Sequence, residues 1–166
     1  MAPKPPAQVA SVAEEAGQES EGDLVLIDKS AWEQRAHSAA AKERIDRLAA
    51  SGRAATCLPV ALEQLYSARN FEDLADRRGA LDLLVWLPMT AAVEDRAIEV
   101  MAQMARKGQH RLPLPDIMIA ATALVHGAKI MHYDRHFERI AETTGLAHEW
   151  VLPRDTGGDG GTQSPE

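Results

Sequence analysis

The chain keeps breaking its helical spacing with short, bounded apolar runs that fit buried strands. LVLI at 24–27, AATC at 54–57, VWL at 85–87 and KIM at 129–131 are each three or four residues long, and EWVL at 149–152 closes the series. Runs of this kind, without alternating polar positions, suit strands covered on both faces. The segments between them carry helical periodicity. Ser30 is placed to cap a helix over 31–39, and a second helix fits 40–50. Pro59 is tolerated in the first turn of a helix over 58–69. Apolar residues at helical spacing predict helices over 71–84, 90–107 and 134–144, and Pro115 opens another that Gly127 closes. Strands alternating with helices imply an α/β/α sandwich around a mostly parallel sheet of about five strands.

A length of 166 residues suits one domain with a real core. The net charge of -7 weighs against a nucleic-acid partner until its distribution is considered. Residues 1–23 hold five acids and one base, and 154–166 hold three acids and one base, leaving 17 acids and 16 bases in 24–153. The acidity lies in the ends. Segments 1–22 and 154–166 are rich in Ala, Pro, Ser, Gly and acids, and are expected to be disordered tails around a folded 23–153. No apolar run approaches the roughly 18 residues of a membrane span. The N-terminal stretch has no apolar centre, so it does not resemble a secretory signal. A single cysteine, Cys57, excludes an internal disulfide and a Cys-based zinc site, and a cytoplasmic setting with no membrane contact is expected.

The strand LVLI runs straight into Asp28, with the Ser30 hydroxyl two residues on. In parallel sheets ligands bind beyond the carboxyl ends of the strands, and four acids fall near those ends. Asp28 ends the first strand. Glu63 lies in the helix after the second, Asp116 starts the PDIMIAATA helix, and Asp134 follows the fourth strand in KIMHYDRHF. Each has a plainer explanation alone: Asp116 as a first-turn acid favoured by the helix dipole, Asp134 as a helix cap, Glu63 as a solvated helix residue. Gathered on one rim they would repel one another and raise each other's pKa unless a cation neutralised them. Carboxylate oxygens suit Mg²⁺ or Mn²⁺. The charge after LVLI makes sense as a metal ligand, with Ser30 supporting it.

VLIDKSAW, LPVALEQLYSAR, LPLPDIMIAATALVHGAKIMHYDRHFERIA and EWVLP together resemble the PIN-domain family, above all the VapC toxins of bacterial toxin–antitoxin pairs. The likeness covers about residues 24–153, and the linked run PDxxIAATA, short strand, HYDRxF is specific in content and spacing. The family's acidic quartet falls on Asp28, Glu63, Asp116 and Asp134, and its small hydroxyl residue on Ser30. A tail of 22 residues before the first strand departs from the family, whose first strand begins near the start methionine. The resemblance implies a Mg²⁺- or Mn²⁺-dependent endoribonuclease that inhibits translation by cutting RNA, with transfer RNA a family-level target. It also implies a cognate VapB-like antitoxin and a homodimer. Asp28, Asp116 and Asp134 would hold the metal, and Glu63 would ligate directly or through water, or orient the attacking water.

RNA needs positive charge around such a pit, and Arg35, Arg69, Arg111 and Arg135 lie near the motif segments as candidate phosphate contacts. His132 and His136 flank Asp134 and would suit zinc, but the four acids favour a harder ion, so both are set aside as ligands. Cys57 is expected in the core. Trp32, Leu65 and Tyr66 on the early helices fit either packing or the family's dimer and antitoxin interfaces. Competing functions fare worse. An aspartyl phosphatase wants a second acid where Ser30 stands, a phosphoacceptor domain leaves Asp116 without a role, and no glycine-rich nucleotide loop is present. An RNA-processing PIN nuclease without an antitoxin, or a PIN-like RNA-binding module that has lost activity, remain as alternatives.

Overall fold

The computed structural model describes residues 23–154. The chain runs β1 (Val25–Ile27), α1 (Lys29–Arg35), α2 (Ala39–Ala50), β2 (Ala54–Cys57), α3 (Leu58–Tyr66), α4 (Phe71–Leu81) and β3 (Val85–Leu87). It continues through α5 (Ala91–Arg106), α6 (Leu114–His126), β4 (Lys129–His132) and α7 (Arg135–Thr144) to β5 (His148–Trp150). The five strands form one sheet in the order β3-β2-β1-β4-β5, and every pair is parallel. This is the expected α/β/α sandwich. The expected tails, 1–22 and all but Arg154 of 154–166, lie outside the described residues.

Strand pleating divides the apolar residues between two layers. Leu26, Ala55, Cys57 and Ile130 point into a core closed by Val60, Val100, Met104, Ile119, Phe137 and Ile140. Val25, Ile27, Ala54 and Met131 point the other way, against Ala31, Ala41 and Ile45 of α1 and α2. Burying such side chains fully contributes about 1.5–3 kcal/mol each; β1 is covered on both faces, whereas the edge strands β3, with Trp86 exposed, and β5 are only partly covered. Among the described residues, no helix is long and apolar enough to cross a membrane.

Several boundaries differ from expectation. Asp28, rather than Ser30, caps α1: its carboxylate accepts from the Ser30 backbone N–H. The chain leaves β1 extended at Asp28 and turns helical at Lys29, so the acid occupies the cap position and Ser30 falls in the first turn. α1 stops at Arg35 because Ser38 starts a new helix by accepting from Ala41 N–H. α3 ends at Tyr66 and α4 at Leu81, each earlier than periodicity suggests. Asn70 separates these two helices as the cap of α4, accepting from Asp73 N–H at 2.8 Å. α6 ends on Gly127 at φ 64°, a left-handed conformation that glycine takes without a Cβ penalty.

Candidate active site

The strand order places the chain's reversal between β1 and β4: the first three strands step outward from β1, and the chain then crosses back to β4. A crevice forms beyond the carboxyl ends of strands at such a point. Asp28 and Asp134 stand there, after β1 and β4 respectively, and α6 delivers Asp116 from its first turn.

Asp28 is only 5% exposed. Its backbone N–H donates to Met131 O, which ties it to β4, and its carboxylate accepts from both the backbone N–H and the hydroxyl of Ser30. The Ser30 oxygen in turn accepts from Tyr133 N–H at 2.9 Å. One hydroxyl therefore joins the end of β1 to the turn after β4. Burial pushes the Asp28 pKa up against the lowering effect of the Ser30 hydrogen bonds, and the charge of Asp134 adds to the rise.

Asp116 is buried as well, and its carboxyl is raised from 3.8 to about 6, chiefly by desolvation and then by the Asp28 charge. Its Oδ2 lies 2.8 Å from His136 Nδ1. That same ring nitrogen is 3.3 Å from Asp134 Oδ1, which also accepts from His136 backbone N–H as the cap of α7. Asp116, Asp134 and His136 each offer a ligand atom, all within 4.8 Å of one another. Glu63 lies in the second turn of α3, outside this trio. It is part-buried, and its pKa is raised by desolvation first and by the Asp28 charge second.

His136, set aside on the sequence as a ligand, thus stands between two of the expected acids. Its position depends on α6 and α7 starting side by side, and the only sequence signal is its place two residues after Asp134. His132 has a different part. It is fully buried, its Nδ1 accepts from Asp134 N–H at 3.1 Å, and its Nε2 lies 2.8 Å from His148 Nδ1. With Nδ1 accepting, the ring proton sits on Nε2 and His148 Nδ1 is the acceptor. Burial, then His148, brings the His132 pKa down to about 4, so the ring is neutral and orients the Asp134 turn.

The group is rich in carboxylate oxygen and short of positive charge: buried acids raise one another, and a single imidazole lies between two of them. That donor set fits a hard divalent cation held by Asp116 and Asp134, with His136 within reach and Asp28 hydrogen-bonded to Ser30.

Of the expected phosphate-binding arginines, Arg35 is paired with Asp46 at 2.7 Å and Arg69 with Asp73 at 3.2 Å. Arg111, in the loop leading to α6, and Arg135, the first residue of α7, are exposed and have no ion pair among the described residues. Cys57 is buried as expected, and desolvation pushes its thiol up to about 12. Trp32 packs against the α1–α2 core, Leu65 is part-buried, and Tyr66 is 92% exposed on α3.

The PIN domain family matches residues 25–143. The chain is 43% identical over 136 residues to Ribonuclease VapC21 of Mycobacterium tuberculosis, covering 79% of this chain and 96% of the relative. It is 35% identical over 136 residues to Ribonuclease VapC18 of the same organism, covering 80% of this chain and 98% of that one. Among solved structures, the DNA-bound VapBC2 complex of Rickettsia felis superposes with a TM-score of 0.65 at 17% identity, over 76% of this chain and 98% of that one. DNA-bound VapBC of Salmonella typhimurium gives 0.65 at 18% identity, over 79% and 100%. A family match spanning most of the chain, full-length relatives well above chance identity and the shared fold agree, and the chain belongs to the PIN-domain family, in its VapC type.

Proposed function

We propose that the protein is a Mg²⁺- or Mn²⁺-dependent endoribonuclease, the toxin of a toxin–antitoxin pair, acting on Asp28, Glu63, Asp116 and Asp134 with Ser30 in support. The observation that carries this reading is the acidic cluster at the crevice between β1 and β4, with Asp28 and Asp116 buried, where Asp116 and Asp134 present ligand atoms within 4.8 Å of each other. The relatives named as VapC ribonucleases support the same chemistry.

The cation, when bound, supplies Lewis acidity: it makes water a better nucleophile and offsets charge building on the scissile phosphate. The chain supplies the rest. Ser30 holds the Asp28 carboxylate on one rotamer and fastens it to the Tyr133 backbone, so the β1 and β4 acids keep a fixed separation. The His132 ring holds the Asp134 N–H, and so the turn that aims Asp134. Glu63, raised by burial and by Asp28, is a better proton acceptor than a solvated glutamate and takes the role of base at the attacking water. Arg111 and Arg135, free of ion pairs among the described residues, contact phosphates on either side of the scissile bond. Arg35 and Arg69, already paired with acids, contribute less. A VapB-like antitoxin and a second copy of the chain are the proposed partners, with the exposed Leu62, Tyr66 and Phe71 on α3 and α4 as apolar surface for them.

The test is incubation of antitoxin-free protein with total RNA and Mg²⁺ or Mn²⁺, beside Asp28→Ala and Asp116→Ala. Discrete, metal-dependent fragments from the wild type alone are expected, with activity in either variant down at least about a hundredfold. Absence of cleavage with both metals by folded wild-type protein would overturn the nuclease reading, and sequencing the fragment ends would identify the target.

A further inference from the structure

Next to the acidic cluster the rim changes character. β5 pairs with β4 so that Trp150 lies beside His132, and their rings stand 4.9 Å apart. Tyr133, the next residue of the chain, meets Trp150 edge to face at 5.5 Å. Together with Arg135 and Arg154 these two aromatic side chains line an open recess of about 200 Å³. The recess is joined to the acids through the main chain: Tyr133 and Arg135 flank Asp134 in sequence, and the Tyr133 N–H donates to the hydroxyl that holds Asp28. Nothing in the metal chemistry uses Tyr133, Trp150 or Arg154.

Trp150 is held firmly. Its Nε1–H donates to Glu138 Oε1 at 3.0 Å, and its carbonyl accepts from Arg44 at 2.8 Å. Glu138 also receives Arg154 at 3.3 Å, which fixes that guanidinium beside the indole and offsets part of its charge. Arg135 has no such partner among the described residues, so its charge remains available at the mouth. Fixed aromatic faces with a free arginine are what single-stranded nucleic acid uses, with bases stacking and phosphates pairing. The volume is below the roughly 300–1,000 Å³ of small-molecule pockets, which suits one base and its phosphate rather than a whole cofactor.

We propose that Tyr133, Trp150, Arg135 and Arg154 form a nucleotide subsite that seats one unpaired base of the RNA beside the scissile phosphate, with Trp150 as the stacking face and Arg135 on the adjoining phosphate. The inference rests on the ribonuclease reading for its substrate class. It predicts that the RNA is cut in a single-stranded stretch, because a paired base cannot enter the recess.

The experiment is titration of the full chain with a short single-stranded oligoribonucleotide of mixed sequence, followed by tryptophan fluorescence at several salt concentrations. It is run in EDTA, and again with Mg²⁺ in an Asp116→Asn background, so that hydrolysis does not intervene. The chain has three tryptophans, and the expected quenching comes from Trp150: it persists in Trp86→Phe and disappears in Trp150→Phe, with affinity down about fivefold or more. Arg135→Ala, at an exposed position that the fold does not need, is expected to lower the slope of log affinity against log salt by about 0.7. A duplex of the same sequence should bind more weakly. Quenching that survives Trp150→Phe together with an unchanged salt slope in Arg135→Ala overturns the subsite, as does failure of the oligonucleotide to bind in both conditions. If Trp150→Phe does not fold, Tyr133→Leu takes its place: an affinity loss of about fivefold or more supports the subsite, and unchanged affinity overturns it. Cleavage of the same RNA by wild type with Mg²⁺ or Mn²⁺ is scored separately. Quenching without cleavage sinks the nuclease reading and leaves the subsite, whereas cleavage without the Trp150 and Arg135 effects does the reverse.

Discussion

Asp116 bears two burdens at once, burial and the charge of Asp28. A carboxyl raised from 3.8 to about 6 binds its proton more tightly in the folded chain than in the unfolded one. The metal-free protein is therefore favoured by this group below the ordinary carboxyl range and loses that contribution as pH climbs through about 6, on the order of 3 kcal/mol in all. Asp28 and Glu63 are raised in the same direction and add to the trend. Asp73, held low first by the Arg69 backbone N–H and then by Arg77 and Arg69, and Asp46, held low by Lys42 and Arg35, act oppositely, and only below the ordinary carboxyl range. In EDTA the melting temperature should fall between about pH 4 and pH 6, Asp116→Asn should flatten that fall, and saturating Mg²⁺ should reverse it at the upper end. A melting temperature that rises over this interval, or falls equally in Asp116→Asn, would show that the penalty lies elsewhere. Asp28 was legible in the sequence because a strand buried on both faces has nowhere to hide a charge. His136 was not, because what sets it between Asp116 and Asp134 is the packing of two helix starts that no local pattern encodes.

Between β4 and α7 a two-residue turn, Tyr133 and Asp134, has to aim a carboxylate, and the element that steadies it is the fully buried His132 ring. His132→Phe keeps the shape but strands the Asp134 N–H and His148 Nδ1 without partners, a cost of about 1–3 kcal/mol. The expected outcome is a lower melting temperature together with weaker Mg²⁺ or Mn²⁺ binding in a titration, since the Asp134 turn is no longer fixed. Asn70→Ala supplies the contrast. Loss of that cap on α4 should cost about 1 kcal/mol in a denaturant melt while cleavage stays at the wild-type rate, because α4 carries none of the site acids. If His132→Phe destabilises no more than Asn70→Ala and binds metal normally, His132 is packing alone. At this scale the alternation of strands and helices was readable from the short apolar runs, and β2 and β3 fall where AATC and VWL put them. The helix ends were less so. Periodicity continues past Arg35 and Tyr66 into residues that still look helical, and the breaks come where Ser38 and Asn70 cap the next helix, a competition between local hydrogen bonds that apolar spacing does not register.

Among the described residues, most of the positive charge is already paired with acids of the same chain. Arg35, Lys42, Arg44, Arg47, Arg69, Arg77, Arg78 and Arg96 all hold acids of their own chain. The near balance of 17 acids and 16 bases in residues 24–153 offers no general attraction for a polyanion. On the proposed function, binding would come from few contacts placed close to the crevice, with Arg111, three residues before α6, and Arg135, the first residue of α7, as exposed guanidinium groups at the two helix starts that bring Asp116 and His136 together. Roughly two or three phosphate contacts at a single-strand slope of about 0.7 each give a total slope near -2. Affinity for a single-stranded oligoribonucleotide should then fall only about fifteenfold between 50 and 200 mM salt, against the roughly thousandfold or greater loss of a protein with many phosphate contacts. A steep slope measured in filter binding would mean that a broad basic face takes part, and Arg106, Lys107 and Arg139 would be the residues to neutralise next. A shallow slope, lowered further by Arg111→Ala and Arg135→Ala but not by Arg35→Ala, would fit an enzyme that recognises its RNA through a few residues at one crevice.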